Sequence, residues 1–348
     1  MTGVVDMGSL TGRVALITGA GRGIGRQEAL LFAAEGALVV VNDPGVALDG
    51  TGDDESVAAA VVAEITAHGG QAVANTDSVS DWDGARRMVD TAVDTFGDLH
   101  IVVNNAAIER NRAVYFMTDE DFDVVADVKL KGTFNVTAAA ARHWRSRYQA
   151  GDRTDRAVVN TASGSGLLNP LPGQSNYAAA NAGVAAMTVV HALELGRLGV
   201  RANCLAPSMI RTRMTLPVPG MQDVPPAGDY DPRSPAVIAP VAAYLASAGC
   251  PLTGQVLSVR GGSVIINKGW SQGPRVDKDD ALWTVEELAA RIAELPRDDP
   301  FDVLAEALGG AVGAADHAKM AAMIEAGLEE SEQYRNMVDD RVADTSAH

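Results

Sequence analysis

The chain has 348 residues, of which 47% are hydrophobic and 5% aromatic, and its formal net charge at pH 7 is −17. A chain of this length and apolar content can bury a large core, which excludes a disordered protein, and its charge disfavours nucleic acids and anionic membranes as partners. The two cysteines cannot form a disulfide framework, so we expect buried thiols in a reducing compartment.

The chain termini and the distribution of charge suggest a location and a domain division. The first ten residues lack the basic and apolar segments of a secretory signal, and we expect no apolar stretch as long as the roughly 18 residues of a membrane span. A cytoplasmic protein is therefore expected. Residues 271–348 carry 18 acidic and 7 basic side chains. We predict one domain over residues 1–270 and an acidic, mainly helical extension over residues 271–348, packed on or near it.

Short apolar runs alternate with segments of helical periodicity along the first 270 residues. Seven runs have the length of strands and are apolar enough to be buried on both faces, as in a parallel sheet. They are Val14–Thr18, Ala37–Asp43, Gln71–Thr76, Leu99–Asn105, Ala157–Ser163, Val200–Pro207 and Gln255–Gly262. Right-handed crossovers between them predict a Rossmann-like, doubly wound α/β fold, with a parallel seven-stranded sheet and helices on both faces.

Three segments depart from this alternation. Residues Pro44–Ser56 form a Gly/Asp-rich insertion after the second strand, close to the expected position of a cofactor ribose. The Pro/Gly-rich stretch Pro217–Pro235 is placed to act as a flexible lid over the carboxyl edge of the sheet. Within the acidic extension, Thr284–Leu295 is predicted to be an amphipathic helix, and Thr284 and Glu287 are spaced as a capping box.

The segment Thr18–Gly25, TGAGRGIG, follows the first strand and opens a helix. Gly19 allows a tight turn, Gly23 lets the backbone approach a pyrophosphate, and Gly25 allows close packing of the helix on the strand. The phosphates would then face the N-terminus of the helix. In this strand–loop–helix context, the glycine pattern predicts a dinucleotide-binding site.

The residue at the end of the second strand bears on the choice of cofactor. The carboxylate of Asp43 can accept hydrogen bonds from ribose hydroxyls and would repel a 2′-phosphate. We therefore predict NAD. Arg22 argues weakly for a phosphate ligand, although a solvated arginine is the simpler interpretation.

Five motifs occur in an order that resembles the short-chain dehydrogenase/reductase family. They are TGAGRGIG at Thr18–Gly25, NNAA at Asn104–Ala107, TASGSG at Thr161–Gly166, Tyr177 in NYAAAN, and LAPSMIRT at Leu205–Thr212. The resemblance covers roughly residues 10–265. Within the family, the NDPG segment, the Gly/Asp insertion and ANTDSV look most similar to the (3R)-hydroxyacyl-CoA dehydrogenase domain of peroxisomal multifunctional enzyme type 2.

The resemblance implies a set of cofactor-binding residues. Asp77 and Val79 would hold the adenine, Asn104 and Ala106 would line the ribose, and Val128 would pack near the nicotinamide. Ile210 and Thr212 would anchor the carboxamide. The full implied set is Thr18, Gly19, Arg22, Gly23, Ile24, Gly25, Asp43, Asp77, Ser78, Val79, Asn104, Ala106, Val128, Tyr177, Asn181, Pro207, Ile210 and Thr212.

The resemblance also implies the catalytic residues. Tyr177 matches the tyrosine that exchanges a proton with the substrate oxygen while hydride moves to or from the nicotinamide. Ser163 matches the serine that binds the same oxygen. Because Ser163 lies fourteen residues before Tyr177, one more than the usual spacing, Ser165 is a possible substitute.

The sequence departs from the family pattern at two catalytic positions. The family lysine one helical turn after the tyrosine is here Asn181, and the family asparagine of the preceding helix is here Lys129. We hypothesise that Lys129 extends its ammonium toward Tyr177 and restores the charge that Asn181 lacks. In the alternatives, Lys129 is a solvated lysine and the site has slow chemistry or none.

The sequence therefore predicts an NAD-dependent oxidoreductase that interconverts a secondary alcohol and a ketone on a bulky apolar substrate, resembling a 3-hydroxyacyl-CoA or a steroid. The alternative is a cofactor-binding but catalytically impaired subunit with a structural or regulatory role. The scattered histidines suggest no metal site. The helix at Ser175–Leu195 is rich in small residues, which favours packing against a partner helix in a homo-oligomer, a tetramer or a dimer.

Overall fold

A computed structural model of the chain describes residues 8–169, 171–218, 220–269, 273–277, 284–296 and 299–329. The chain divides into two compact units, Met1–Asn267 and Lys268–His348. The predicted packing of the acidic extension on the first domain stays a prediction, and much of that extension lies outside the described residues.

The first unit is built on one eight-stranded sheet with the strand order β3-β2-β1-β4-β5-β6-β7-β8. Strands β1 to β7 are parallel, whereas β8 is antiparallel to β7. The strands are β1 Val14–Thr18, β2 Leu38–Asn42, β3 Gln71–Asn75, β4 Ile101–Asn104, β5 Arg156–Thr161, β6 Val200–Pro207, β7 Val256–Arg260 and β8 Ser263–Asn267. The Rossmann-like, doubly wound fold class is confirmed.

Helices cover both faces of this sheet, as parallel crossovers require. One hydrophobic core lies under α1, α2 and α7, and a second lies under α3, α5 and α6. A π-helical turn, Asp127–Lys131, joins α4 to α5. The helices are α1 Gly23–Ala34, α2 Ser56–Ala67, α3 Trp82–Phe96, α4 Asp119–Ala126, α5 Gly132–Gln149, α6 Ser175–Leu195 and α7 Ala239–Ala246.

The edges of the sheet differ from the sequence prediction. Strand β8 was not predicted; it follows β7 through a tight turn at Gly261, which has a φ of +54°. Its residues Val264, Ile265 and Ile266 are about half-exposed. Strand β3 is partly exposed rather than buried, because it lies at the opposite edge with one neighbour.

Helix α6 has the predicted bounds and includes a long apolar stretch. Against the expectation from sequence, Ser175–Leu198 meets the length and hydropathy criterion for a membrane-spanning helix. This criterion is weak evidence because core helices of soluble proteins also meet it. Here one face of α6 is buried and packs against β6, which accounts for the apolar residues on that face.

The second unit contains α8 Val285–Ala293 and α9 Pro300–Val312. The predicted capping box is confirmed: Thr284 Oγ1 accepts a hydrogen bond from the Glu287 backbone N–H, and Glu287 Oε2 accepts one from the Thr284 N–H. These bonds fix the start of α8, since they satisfy donors that have no partner within the helix.

Candidate active site

The glycine loop, Thr18–Gly25, is held by hydrogen bonds to the residues that follow β4. Thr18 Oγ1 accepts hydrogen bonds from the backbone N–H groups of Asn105 and Ala106, both at 3.1 Å. Asn105 Nδ2 donates to the carbonyl oxygens of Thr18 and Gly19. Gly19 has a φ of +63°, a left-handed conformation that glycine adopts without strain. A rigid loop therefore connects β1 to α1.

The loop leaves room for a phosphate group at the N-terminus of α1. Arg22 occupies the N-cap position, and no side chain caps the helix there. A Cβ on Gly23 would meet only Thr212, at 3.6 Å, whereas a Cβ on Gly25 would lie 2.4 Å from Asn105 Nδ2. Exposed N–H groups and the helix dipole favour an anion at such a position. These residues fit a dinucleotide cofactor, and the partly buried Ile24 packs below the loop.

Asp43 is fixed by the backbone on both sides of its carboxylate. Its Oδ2 accepts a hydrogen bond from the Gly21 N–H at 2.9 Å, and its Oδ1 accepts one from the Gly45 N–H at 2.8 Å. Arg22 Nη1 donates to the carbonyl oxygen of Val46. Asp43 therefore sits beside the glycine loop, where an adenosine ribose would be bound.

The residues predicted to hold the adenine follow β3. Asp77 accepts a hydrogen bond from Arg87 Nε at 2.7 Å, and Ser78 Oγ pairs with Ser80 Oγ. Val79 is buried beneath the start of α5, where a Cβ on Gly132 would lie 2.6 Å from its Cγ2. These three residues line the edge next to the Asp43 strand, and their role in adenine binding stays a prediction.

Asn104 supports the sheet directly. Its Nδ2 donates to Thr137 Oγ1 at 2.9 Å and to Asn160 Oδ1 at 2.8 Å, while its buried Oδ1 has no partner in the described part of the chain. Ala106 and the partly buried Val128 pack against the hydrophobic core that lies under α3, α5 and α6. The Nδ2 group is thus used within the protein, which leaves Oδ1 as the polar atom of Asn104 that a ligand could meet.

The segment after β6 runs beside the glycine loop. Pro207 ends β6, Ile210 is buried in the core, and Thr212 lies against Gly23. Arg211 is committed to holding the following loop, since it pairs with Asp231 and donates to the carbonyl oxygen of Met221. The Arg211 guanidinium is thus already used by protein partners within this loop.

This loop includes most of the stretch that the sequence marks as a lid, although Pro219 lies outside the described residues. Met221 is fully buried within it. The lid role of Pro217–Pro235 stays a prediction.

The structure brings Ser163, Tyr177 and Asn181 together. Burial raises the pKa of Tyr177 to about 12; the nearby charge of Glu109 adds to the shift, and hydrogen bonding by Ser163 and Asn181 opposes it. Ser163 is the serine that hydrogen-bonds the phenol, whereas Ser165 Oγ donates to Gln174 Oε1 at 2.6 Å. The structure thus favours Ser163 over Ser165, and its catalytic role stays a prediction.

Lys129 lies in the π-helical turn and is 1% exposed. The interpretation of Lys129 as a solvated lysine is therefore wrong. Burial lowers the pKa of its ammonium to about 8, while Cys204 and Glu28 counteract the shift. Cys204 is buried on β6, so the ammonium is directed into the core near the sheet. Whether it compensates for Asn181 stays a hypothesis.

Asn181 is fully buried on α6, one turn after Tyr177. Its Nδ2 donates to the carbonyl oxygen of Tyr177 at 2.8 Å, and its Oδ1 has no partner among the described residues. An amide in this position supplies no charge to the phenol, so the site differs electrostatically from a Tyr-x-x-x-Lys site.

The sequence analysis missed two carboxylates near this site, the partly buried Glu109 and the buried Glu28. Glu109 lies in the loop after β4, where no periodicity marks a residue as buried. Glu28 lies on α1 and is fully buried, with both carboxylate oxygens unpartnered in the part of the chain that is described. The helical spacing of Glu28 with Gly25, Ala29 and Phe32 could have identified it as a core position.

In the second unit, the exposed side chains of Asp299, Asp302 and His317 lie close enough together to hold a metal ion. His317 Nδ1 is 3.1 Å from an oxygen of Asp302. Hydrogen bonding and ion pairing account for this arrangement, and the expectation of no metal site stays a prediction.

Comparison with known proteins identifies the family. The family model described as short chain dehydrogenase matches residues 13–222. The chain belongs to the short-chain dehydrogenase family. A solved short chain dehydrogenase from Mycobacterium avium is 46% identical, with a TM-score of 0.73, over 83% of this chain and 96% of that one.

Two curated relatives refine the similarity. A hydroxyacyl-CoA dehydrogenase of Mycobacterium tuberculosis is 40% identical over 82% of this chain and 89% of its own length. Mouse peroxisomal multifunctional enzyme type 2 is 39% identical over 72% of this chain and 32% of its own length. The resemblance seen in the sequence is thereby confirmed. The protein is a short-chain dehydrogenase-type oxidoreductase, and these relatives give no support to the impaired-subunit alternative.

Proposed function

We propose that the protein is an NAD-dependent dehydrogenase that interconverts a secondary alcohol and a ketone on a 3-hydroxyacyl-CoA-like substrate. The observation that carries this proposal is the placement of Ser163 beside the Tyr177 phenol. Asp43, at the rim of the glycine loop, supports NAD because a carboxylate there repels a 2′-phosphate. The hydroxyacyl-CoA relatives support the substrate class over a steroid-like alcohol.

The chain's own residues would bind the substrate oxygen and transfer its proton. The glycine loop and the segment after β6 would hold the nicotinamide cofactor, which would supply or accept the hydride. Ser163 donates a hydrogen bond to the substrate oxygen and orients it toward Tyr177. In alcohol oxidation, the phenolate of Tyr177 removes the hydroxyl proton; in ketone reduction, the phenol donates it. Because its pKa is raised to about 12, Tyr177 is a phenol near neutral pH.

The Tyr177→Phe variant should lose activity without losing cofactor binding, because it removes the proton-transferring hydroxyl but keeps the ring. We expect kcat to fall by roughly 10²- to 10⁴-fold. The measurement is NAD reduction with a panel of 3-hydroxyacyl thioesters and secondary alcohols, compared with NADP under the same conditions. Wild-type turnover that Tyr177→Phe leaves unchanged would contradict the proposed mechanism.

The exchanged pair Lys129 and Asn181 can be tested by reversing it. If Lys129 supplies the missing charge, the Lys129→Asn variant should lose about tenfold or more in kcat, since one pKa unit at Tyr177 corresponds to a tenfold change in ionisation. The double variant with Asn181→Lys should recover activity, because it restores the family arrangement. Full activity of Lys129→Asn alone would rule out compensation. A silent wild type that Asn181→Lys activates would favour the impaired-subunit alternative.

We also propose a homo-oligomer formed through α5 and α6. The face of α6 carries the apolar residues Val189, Val190 and Leu193, and Leu193 is 79% exposed. A groove of about 610 Å³ runs between the two helices and is lined in part by Phe134 and Leu193. The groove is also lined by Arg142, Arg145, Glu194 and Arg197. Exposed apolar side chains bordered by charged ones are typical of an interface.

The Leu193→Asp variant should therefore reduce the molecular mass measured by light scattering, because a charge at the centre of an apolar interface would be desolvated without a partner. Val224→Asp, at an exposed apolar residue of the loop after β6, is the matched control and should leave the mass unchanged. Identical masses for all three proteins would argue against this interface.

The cytoplasmic location stays a prediction.

A further inference from the structure

A partly buried carboxylate adjoins the catalytic side chains but has no part in the proposed proton transfer. It is Glu109, in the loop between β4 and α4. Its Oε1 accepts hydrogen bonds from Gln174 Nε2 at 2.5 Å and from Asn111 Nδ2 at 2.8 Å. Burial raises the pKa of Glu109, and the hydrogen bonds from Asn111 and Gln174 oppose this shift because they favour the ionised carboxylate.

A chain of hydrogen bonds links Glu109 to the catalytic serine. Gln174, which binds Glu109, accepts a hydrogen bond at its Oε1 from Ser165 Oγ. The backbone N–H of Ser165 donates in turn to Ser163 Oγ at 3.2 Å. Gln174 is also the N-cap of α6, and Tyr177 lies in the first turn of that helix. These bonds link the Glu109 carboxylate to the two segments that carry Ser163 and Tyr177.

No cation neutralises this carboxylate within the part of the chain that the structure describes. Arg110 pairs with Glu120 at 2.9 Å, and Arg112 Nη1 donates to the carbonyl oxygen of Asn111. The Tyr177 phenol is close enough for the Glu109 charge to raise its pKa. A substrate bound to Ser163 and Tyr177 is therefore exposed to a fixed negative charge.

We propose that Glu109 is a specificity residue that rejects 3-hydroxy acids, whose carboxylate lies two bonds from the reacting carbon, and admits the corresponding neutral esters and thioesters. This inference rests on the proposed function. In a free 3-hydroxy acid, the anionic carboxylate lies two bonds from the carbinol carbon, whereas a thioester carries no charge there. Repulsion between like charges in a partly desolvated site discriminates against the acid, without any contact that favours the thioester.

The test compares two substrates that differ in this charge, methyl 3-hydroxybutyrate and 3-hydroxybutyrate, with NAD as the cofactor. The Glu109→Gln variant keeps an Oε1 acceptor for Asn111 and Gln174 but removes the charge. We expect the ester-to-acid ratio of kcat/KM to fall about tenfold or more, mainly through a lower KM for the acid. Asp90→Asn, which removes an exposed charge on α3, should leave the ratio unchanged.

Binding of the two products, acetoacetate and methyl acetoacetate, to the protein with NAD gives a readout that does not depend on turnover. The Glu109→Gln variant should bind acetoacetate more tightly relative to its ester. If the wild type oxidises neither alcohol, the proposed function fails, while the binding comparison still decides the role of Glu109. If Glu109→Gln lowers kcat/KM, or the binding affinity, equally for the acid and for its ester, Glu109 only positions Gln174 and Ser165. That result, or unchanged ratios, would overturn the inference.

Discussion

The Gly25→Ala variant is expected to lose about a hundredfold in cofactor affinity and roughly 2–3 kcal/mol of stability. The new Cβ would lie 2.4 Å from both Asn105 Nδ2 and the Gly19 carbonyl oxygen. Because Asn105 bonds the backbone of Thr18 and Gly19, the loop must shift to relieve the overlap. Overpacking in a rigid region costs about 1–3 kcal/mol, and a displacement of about 1 Å at a binding site can cost a hundredfold.

A titration of the purified variant with the nicotinamide cofactor, together with urea unfolding, measures both effects. Gly196→Ala is the matched control, since a Cβ there meets nothing within 4 Å and the backbone φ is −54°. That substitution should be neutral or slightly stabilising. If Gly25→Ala binds the cofactor as tightly as Gly196→Ala does, the glycine loop is not the phosphate site.

The Glu28→Met variant is expected to be more stable than the wild type by about 3 kcal/mol at pH 7. Burial raises the pKa of Glu28 to about 8 from a reference value of 4.5, and neither oxygen has a hydrogen-bond partner within the described residues. At pH 7 the unfolded state has lost the Glu28 proton, whereas the folded state retains it. Each pKa unit between the two states corresponds to about 1.4 kcal/mol.

The sign of this effect fixes its pH dependence. The pKa of Glu28 is higher in the folded state than in the unfolded state. Its contribution to the free energy of unfolding is therefore complete below about pH 4.5 and is lost as the pH rises to about 8. The advantage of Glu28→Met should therefore grow over this interval in urea unfolding series. Glu28→Gln, which removes the titration but keeps a buried polar group, separates the two contributions. Parallel pH profiles for wild type and both variants would contradict the shifted pKa.

Local sequence patterns were sufficient to predict the main strands and helices of the fold. The apolar run Val14–Thr18 and the helix Ser175–Leu195 have the same bounds in the structure as in the prediction. Both are long or strongly patterned elements packed on a sheet, where burial and periodicity coincide. Strand β8 could also have been found, since Gly261 and Gly262 separate two β-branched runs in the manner of a hairpin.

The environments of the charged residues could not be predicted in the same way. Lys129 occupies a position where sequence alone allows either a solvated or a buried side chain, and the π-helical turn decides its orientation. Glu109 is partly buried because separate segments converge on it, and its partner Gln174 is 65 residues away. Such contacts follow from tertiary packing, which the local pattern of a loop does not encode.

The two backbone hydrogen bonds to Asp43 tie the cofactor preference that we propose for this residue to the folding of this region. Replacing Asp43 with a small neutral residue, the usual first step toward accepting a 2′-phosphate, would leave the N–H groups of Gly21 and Gly45 without their acceptor. The turns on both sides of the ribose position would then lose their anchor. A redesign for the phosphorylated cofactor must therefore supply a new acceptor for both turns before it supplies a new cation.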